Sequence, residues 1–309
     1  MESRRPVSEY RRGIRSFRGQ VEILEGRTLL SCTVKEVGGV LLIRGTNATA
    51  DIVRIEDGGT NVGGAISVRC NNGPANAVVP VATNVGLVRN VMIDTGRGDD
   101  LVDYSLAVGA TLGVPRNVTL NLGPGKNIGK VGVGQATINA NLGVDVRSGN
   151  GNDIISFDAA AGVLPTMINA SLSVTVNAGL GDDKVDVAAD LATINGALVL
   201  NAKAGAGVDK LGATAVGVVL GNGGLLNLTL DGGPGIDTLD AGANIISAGV
   251  GSQAKISLLG SNQNDKLGLA FAGYAPTLAL LINGGLGTDT CELPVGFGPP
   301  QLTVIGCEL

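Results

Sequence analysis

Aspartate recurs through this sequence as the last residue of a five-residue turn, Gly-x-Gly-x-Asp. The final positions of the turns, one of which carries Asn and one of which lacks both glycines, are Asp100, Asn127, Asp153, Asp183, Asp209, Asp237, Asp265 and Asp289. Asp and Asn in turns hydrogen-bond to nearby backbone N–H groups. If the turns stack, their carboxylates repel one another, and Asp99 and Asp182 add further negative charge. This arrangement favours binding of a cation.

The turns are regularly spaced, with a mean step of 27 residues between Asp100 and Asp289. Weaker copies extend the series backwards to Asn76 and Asp51, which gives about ten units. A unit of this length cannot bury its own apolar face, so successive units must stack on one another. The repeat therefore predicts a solenoid.

Alternating segments flank each turn, for example NVTLNL at 117–122 and LSVTVN at 172–177. Alternation rich in Val, Ile, Leu and Thr is typical of half-buried strands. The predicted fold is all-β, a right-handed parallel β-helix of about ten coils with ~27 residues per coil. It occupies residues 36–309, and its thin interior is made of Val, Leu, Ile and Ala.

The composition excludes much catalytic chemistry. The chain of 309 residues contains 50 Gly, 2% aromatic residues and no His or Trp. Without His there is no Ser-His-Asp triad and no imidazole-ligated metal. We therefore predict that the protein is not an enzyme. The alternative is a polysaccharide-active β-helix, a lyase or glycosidase, which would need a groove with converging Asp and Arg or Lys away from the turns.

The charge is distributed unevenly along the chain. The net charge is −5 overall but +4 over residues 1–35, so the repeat domain carries −9. A basic head on an acidic body is typical of a targeting segment before a mature domain, although a segment that caps the first coil is the alternative. The acidic body argues against nucleic-acid binding. Three uncharged stretches, 159–181, 211–230 and 267–288, are broken by Gly and Asn, so we expect no membrane span.

Two nine-residue windows, GNGNDIISF at 149–157 and GLGDDKVDV at 179–187, resemble the GGxGxDxUx repeat of the RTX calcium-binding family. The resemblance implies that turn carboxylates and carbonyls bind Ca²⁺, which takes about six to eight oxygen ligands, between neighbouring turns. Sites around Asp153, Asp183 and Asp209 are favoured. The implied ligands are Asp100, Asp153, Asp183, Asp209, Asp237 and Asp289, with Asp265 in a degenerate turn.

The repeat also departs from the RTX pattern, because one motif occurs per ~27 residues and not in tandem. In the alternative interpretation, the turn residues are satisfied by backbone N–H donors and bind no metal.

The segment VEILEGRTLLS at 21–31 resembles the LEPRxLL motif found near the N-termini of planctomycete surface and secreted proteins. Leu24, Glu25, Arg27, Leu29 and Leu30 match, and Gly26 stands where the motif has Pro. The resemblance implies an extracellular or cell-surface location.

Four cysteines are compatible with export. Cys291 and Cys307 could clamp the last coil, and Cys32 and Cys70 could clamp the first. Four cysteines allow three pairings, and buried free thiols are the alternative.

The sequence thus predicts a secreted or cell-surface structural β-solenoid that binds Ca²⁺ and acts as a spacer, matrix or adhesion module. Its expected partners are cell-surface or matrix components, polysaccharide among them.

Overall fold

The structure is a computed structural model that describes residues 32–46, 50–60, 65–70, 79–81, 88–159, 164–296 and 301–308. The predicted basic segment 1–35 and the LEPRxLL-like motif lie almost wholly outside these residues. The described chain is a parallel β-solenoid without helices, which confirms the predicted fold class. Accordingly, no helix among these residues is long and apolar enough to cross a bilayer.

One strand per coil builds the first sheet. Its spatial order is β1 (Thr33–Val37), β2 (Val40–Arg44), β6 (Asn90–Asp94), β8 (Arg116–Gly123), β11 (Leu142–Ser148), β14 (Ser171–Leu180), β17 (Ala197–Ala206), β19 (Leu225–Asp231), β21 (Gln253–Leu259), β23 (Thr277–Asn283) and β25 (Leu302–Ile305). From β2 onward every neighbouring pair is parallel.

The second sheet is built mainly from the strands that come after the turns in the chain. Its order is β5 (Val79–Val81), β4 (Ile66–Cys70), β3 (Ile52–Gly59), β7 (Leu101–Leu112), β9 (Ile128–Gly132), β12 (Ile154–Asp158), β15 (Lys184–Ala188), β18 (Lys210–Leu220), β20 (Thr238–Ala248), β22 (Lys266–Gly273) and β24 (Thr290–Glu292). A narrow row joins the far ends of β7 and β18 and consists of β10 (Thr137–Ile138), β13 (Met167–Ile168) and β16 (Thr193–Ile194).

Identical positions of successive coils stack directly in the interior. One such column in the first sheet is entirely buried and aliphatic. It consists of Val118, Val144, Val174, Leu200, Leu228, Ile256 and Leu280. Because each side chain is covered by its equivalents one coil above and below, a coil buries its apolar face only when its neighbours are present.

The regular solenoid has about seven turns of ~27 residues, so the prediction of ten coils was too high. Asp51 and Asp100 are 49 residues apart, yet they are hydrogen-bonded as neighbours, so no separate turn lies between them. Antiparallel strands β4 and β5 leave the coil within this interval. Asn76, predicted as a turn, lies outside the described residues.

Both ends of the solenoid are closed by disulfides. Cys32 is bonded to Cys70, 38 residues away, and Cys291 to Cys307, 16 residues away. Of the three possible pairings, the structure therefore contains the one that clamps the first and last coils. At the N-terminal end the antiparallel partners β1 and β4 also cover the two sheet edges, which would otherwise offer unpaired backbone groups.

A buried ion pair anchors the chain where it returns from the antiparallel insertion. Arg116 and Asp57 are both fully buried and paired through Nη1 and Oδ2. The Tyr104 hydroxyl donates to the same Oδ2 at 2.7 Å, and Arg116 Nη2 donates to the Val88 carbonyl at 3.0 Å. The guanidinium thus links the solenoid wall to the first residue described after the insertion.

Replacing Arg116 with Met should lower the free energy of unfolding by about 3–5 kcal/mol, because Asp57 would remain buried without its cation. Chemical denaturation with far-UV circular dichroism measures the change. Arg147→Met is the matched control, since Arg147 pairs with Asp145 at the surface and should contribute less than about 1 kcal/mol. Equal effects of the two substitutions would contradict the anchoring role.

The turn glycines are required by both conformation and space. Gly205 has φ of +117°, and a Cβ at this position would overlap the carbonyl oxygen of Gly179 in the preceding coil. We expect Gly205→Ala to lower the free energy of unfolding by about 2 kcal/mol or more, since strain and steric overlap act together.

The control for this substitution is Gly242→Ala in β20. A Cβ there would meet no atom within 4 Å, so its effect should stay within about 0.5 kcal/mol. A Gly205→Ala variant as stable as the control would show that the turns do not stack closely.

Candidate functional site

The final residues of the turns form one continuous column, which we call the carboxylate ladder. In order, it comprises Asp51, Asp100, Asn127, Asp153, Asp183, Asp209, Asp237, Asp265 and Asp289. The backbone N–H of each member from Asp51 to Asp265 donates to Oδ1 of the member one coil further along, at 2.7–3.0 Å. All the predicted ligands therefore lie together on one edge, as expected.

The ladder is buried, and seven of its side-chain oxygens have no donor. No member is more than 3% exposed. Seven Oδ2 atoms, those of Asp100, Asp153, Asp183, Asp209, Asp237, Asp265 and Asp289, have no hydrogen-bond partner among the described residues. A buried carboxylate oxygen without a partner is costly, and a proton or a cation on these atoms would lower that cost.

Asn127 shows what surrounds that second side-chain atom. Its Nδ2 donates to the carbonyl oxygens of Gly123 and Gly125, at 2.9 and 3.3 Å, and to the Ser148 hydroxyl at 3.2 Å. All three partners are oxygens. If Oδ2 of an Asp in another glycine turn occupies the same place, it faces oxygens of its own turn, where a bare anion is disfavoured. Asp51 differs, because its Oδ2 accepts the backbone N–H of Thr46 at 2.6 Å.

Burial shifts the titration of the ladder. Desolvation raises the pKa of Asp183 and of Asp237 to about 7 and that of Asp265 to about 6. Repulsion from neighbouring ladder carboxylates adds to the shift, while the hydrogen bond from the preceding backbone N–H opposes it. The pKa values of Asp100, Asp153 and Asp209 are also raised, again chiefly by burial.

The degenerate turn at 261–265 keeps its place in the ladder despite lacking both glycines. Ser261 and Gln263 adopt positive φ values of 92° and 81°, and glycine also has a positive φ at most of the equivalent positions in the other turns. Asp265 accepts the N–H of Asp237 and donates its own to Asp289. The stacked neighbours therefore impose the turn conformation on two residues for which a positive φ is unfavourable.

The extra acids of the turns form a second, exposed row. The Lys126 N–H donates to Asp99 Oδ1 at 2.8 Å and the Val208 N–H to Asp182 Oδ1 at 3.0 Å. Asn152 and Asn264 accept in the same way from the following coil. Asp99 and Asp182 thus lie outside the buried column, but their charges still contribute to the raised pKa values of the ladder.

The environment of the Oδ2 atoms fits a hard cation in its donor chemistry, because carboxylate, carbonyl and hydroxyl oxygens are the ligands that Ca²⁺ prefers. Among the described residues, no group of three or more acidic or Cys side chains is arranged so that it could hold a metal ion by itself. A cation on the ladder would therefore draw on the turn carbonyls as well as on Asp183, Asp209 and their equivalents.

The sequence analysis missed an open groove of about 990 Å³ on the second sheet, which we call the acidic groove. It runs across β12, β15, β18, β20, β22 and β24, and its charged lining residues are Asp158, Asp186, Asp240 and Glu292. The sequence pattern that could have predicted the groove lies at the third residue after each ladder position. From Asp186 to Glu292 this position alternates between an acid and glycine, with Gly212 and Gly268 between the acids.

No family model, curated protein or solved structure matches this chain.

Ladder protonation should make stability depend on pH. The folded pKa values near 6 and 7 exceed the ordinary value of 3.8, so the native state binds more protons than the unfolded chain between these limits. The contribution of these groups is complete below about pH 4 and is lost as the pH rises through 6–7. In the presence of EDTA, Tm should fall by roughly 5 °C or more between pH 5 and 8.

The Asp237→Asn variant isolates the effect, because an amide can donate to the carbonyls of Gly233 and Gly235 as Asn127 donates to its own turn. Relative to the unsubstituted protein, it should be more stable at pH 8 and equally stable at pH 5. Asp240→Asn, three residues away and exposed, is the control and should change neither value. Destabilisation by Asp237→Asn at pH 8 would contradict the proposed environment of Oδ2.

Proposed function

We propose that the protein is a structural β-solenoid that works outside the cell or on its surface, as a spacer, matrix or adhesion module. The carboxylate ladder is the observation that carries the proposal. It joins every described coil of the regular solenoid to the next by a buried hydrogen bond, in addition to the two sheets. A stack tied in this way resists bending and local opening, which suits a rigid spacer.

We further propose that Ca²⁺ neutralises the ladder near neutral pH. The support is the set of oxygens around Asn127 Nδ2, at the equivalent position of the ladder, together with the seven buried Oδ2 atoms that have no donor among the described residues. Asp153, Asp183 and Asp209 are the first candidates, as the sequence predicts. Asp182 belongs to the exposed row and adds negative charge next to Asp183 of the ladder. When bound, Ca²⁺ would supply positive charge to the stacked turns and no catalytic chemistry.

The disulfides support an extracellular location. Two bonds that close the first and last coils are typical of proteins that fold in an oxidising compartment. The basic head and the LEPRxLL-like motif point the same way, although they lie outside the described residues. Polysaccharide and other matrix components remain the expected partners, and nucleic acid is not expected because the repeat domain is acidic.

The polysaccharide-active alternative has one observation in its favour. The acidic groove places carboxylates away from the turn edge, as that alternative requires. The described lining contains no Arg or Lys to complete the expected catalytic set, and its four carboxylates would repel uronic-acid polymers. The absence of catalysis stays a prediction, and depolymerisation of such polymers by the purified protein would overturn it.

Calcium should stabilise the protein at pH 8 and not at pH 5, where protons already neutralise the ladder. With Ca²⁺ at about a hundred times its Kd, we expect Tm to rise by roughly 5 °C or more over the value in EDTA. Mg²⁺ should have a smaller effect, because it demands a stricter octahedral geometry. Differential scanning calorimetry measures these shifts.

A triple variant, Asp183→Asn, Asp209→Asn and Asp237→Asn, should lose most of the calcium response while remaining folded. The matched control replaces three exposed acids, Asp186→Asn, Asp240→Asn and Glu292→Gln, and should respond like the unsubstituted protein. If neither Ca²⁺ nor EDTA shifts Tm at pH 8, the ladder binds no calcium. The protein would then be a purely proton-stabilised solenoid.

A further inference from the structure

The acidic groove has a volume of about 990 Å³, and its charged lining is entirely acidic among the described residues. Four carboxylates line it, those of Asp158, Asp186, Asp240 and Glu292, and no Arg or Lys is among the described lining residues. Lys184 and Lys266 lie beside it and pair with Asp186 and Glu292. Both pairs are about half exposed or more and therefore weak, so Asp186 and Glu292 can still bind a stronger cationic partner.

Small residues shape the groove for an extended chain. Gly212, Gly242 and Gly268 leave gaps in its floor, and Ala188, Thr214 and Ala270 line one side. A Cβ at Gly212 would lie 2.9 Å from Asp186 Oδ1, so the glycine is what lets that carboxylate lie across the sheet. A guanidinium group can bind such a carboxylate with two parallel hydrogen bonds.

The chain itself carries a segment of the required charge. Residues 4–18 contain six Arg and one Glu, namely Arg4, Arg5, Arg11, Arg12, Arg15, Arg18 and Glu9. They lie outside the described residues and give a net charge of +5 over fifteen residues. The acidic groove and this segment are therefore complementary in charge.

Cys32, the first described residue, is attached to the sheet that carries the acidic groove. Cys32 is bonded to Cys70 in β4, which belongs to the same sheet as the acidic groove. From β4, the groove begins four strands away at β12 and ends nine strands away at β24, about 19 and 43 Å at ~4.8 Å per strand. The thirteen residues 19–31 can span about 43 Å when extended, so Arg18 can reach any part of the groove.

We propose that residues 4–18 bind in the acidic groove of the same molecule, with their guanidinium groups on Asp186, Asp240 and Glu292. The contact covers a sheet face that the described residues leave open. This interaction is independent of the carboxylate ladder and of Ca²⁺.

Photo-crosslinking of the full chain tests the proposal. Tyr10→p-benzoylphenylalanine keeps an aromatic residue within the basic segment, and irradiation followed by peptide mass spectrometry identifies what it contacts. We expect most crosslinks to fall within one molecule and on groove residues such as Thr214, Ala270 and Pro294. Their yield should fall roughly tenfold in about 0.5 M NaCl, because exposed ion pairs are screened.

The triple variant Asp186→Asn, Asp240→Asn and Glu292→Gln should lower the yield by a similar factor. The control variant removes the same number of charges from the first sheet, by Asp94→Asn, Asp145→Asn and Asp231→Asn, and should keep the yield. Both variants should remain folded, because all six carboxylates are at least partly exposed. Circular dichroism and Tm measurements check this. Crosslinks elsewhere on the molecule, crosslinks between molecules, or an unchanged yield in the groove variant would each overturn the proposal.

Discussion

The hydrogen bond from each turn backbone to the carboxylate of the next coil couples stacking to the burial of charge. Oδ1 can accept that bond only if the side chain lies within the stack, and Oδ2 is then carried inside with it. The solenoid thus gains a specific register between coils, but it acquires a column of acidic groups in an environment that disfavours anions. The two glycines of the regular turns follow from the same constraint, because a Cβ there, as at Gly205 and Gly233, would overlap the backbone of the preceding coil.

Because the ladder carboxylates must be neutralised, the stability of the solenoid should depend on the pH and the calcium concentration around it. A proton lets Oδ2 donate to the turn carbonyls, as the Asn127 amide does, and the raised pKa values show that protonation is favoured up to near-neutral pH. A calcium ion would do the same above that range. Outside the cell, where Ca²⁺ is abundant, the two mechanisms together would keep the stack rigid over a wide pH range.

The ladder could be predicted from the sequence because Gly-x-Gly-x-Asp combines a backbone requirement with a hydrogen-bonding one. The structure of the interval between Asp51 and Asp100 could not be predicted in this way. Antiparallel strands such as Ile66–Cys70 show the same alternation of apolar and polar residues as the coil strands, and the position of Asn76 fits the repeat spacing. Position 265 shows the reverse case, in which neighbouring coils impose the turn on Ser261 and Gln263. The acidic groove was missed because Asp186, Gly212 and Asp240 become neighbours only once the coils are in register.

Isothermal titration of the intact protein with Ca²⁺, in buffers of different ionisation enthalpy, tests the central claim most directly, because it counts the protons that leave the ladder as the cation binds. Ca²⁺ binding should release protons at pH 6, where the ladder is partly protonated, and almost none at pH 8.5. Binding without proton release at pH 6, or no binding at either pH, would contradict an exchange of proton for calcium on the buried carboxylates.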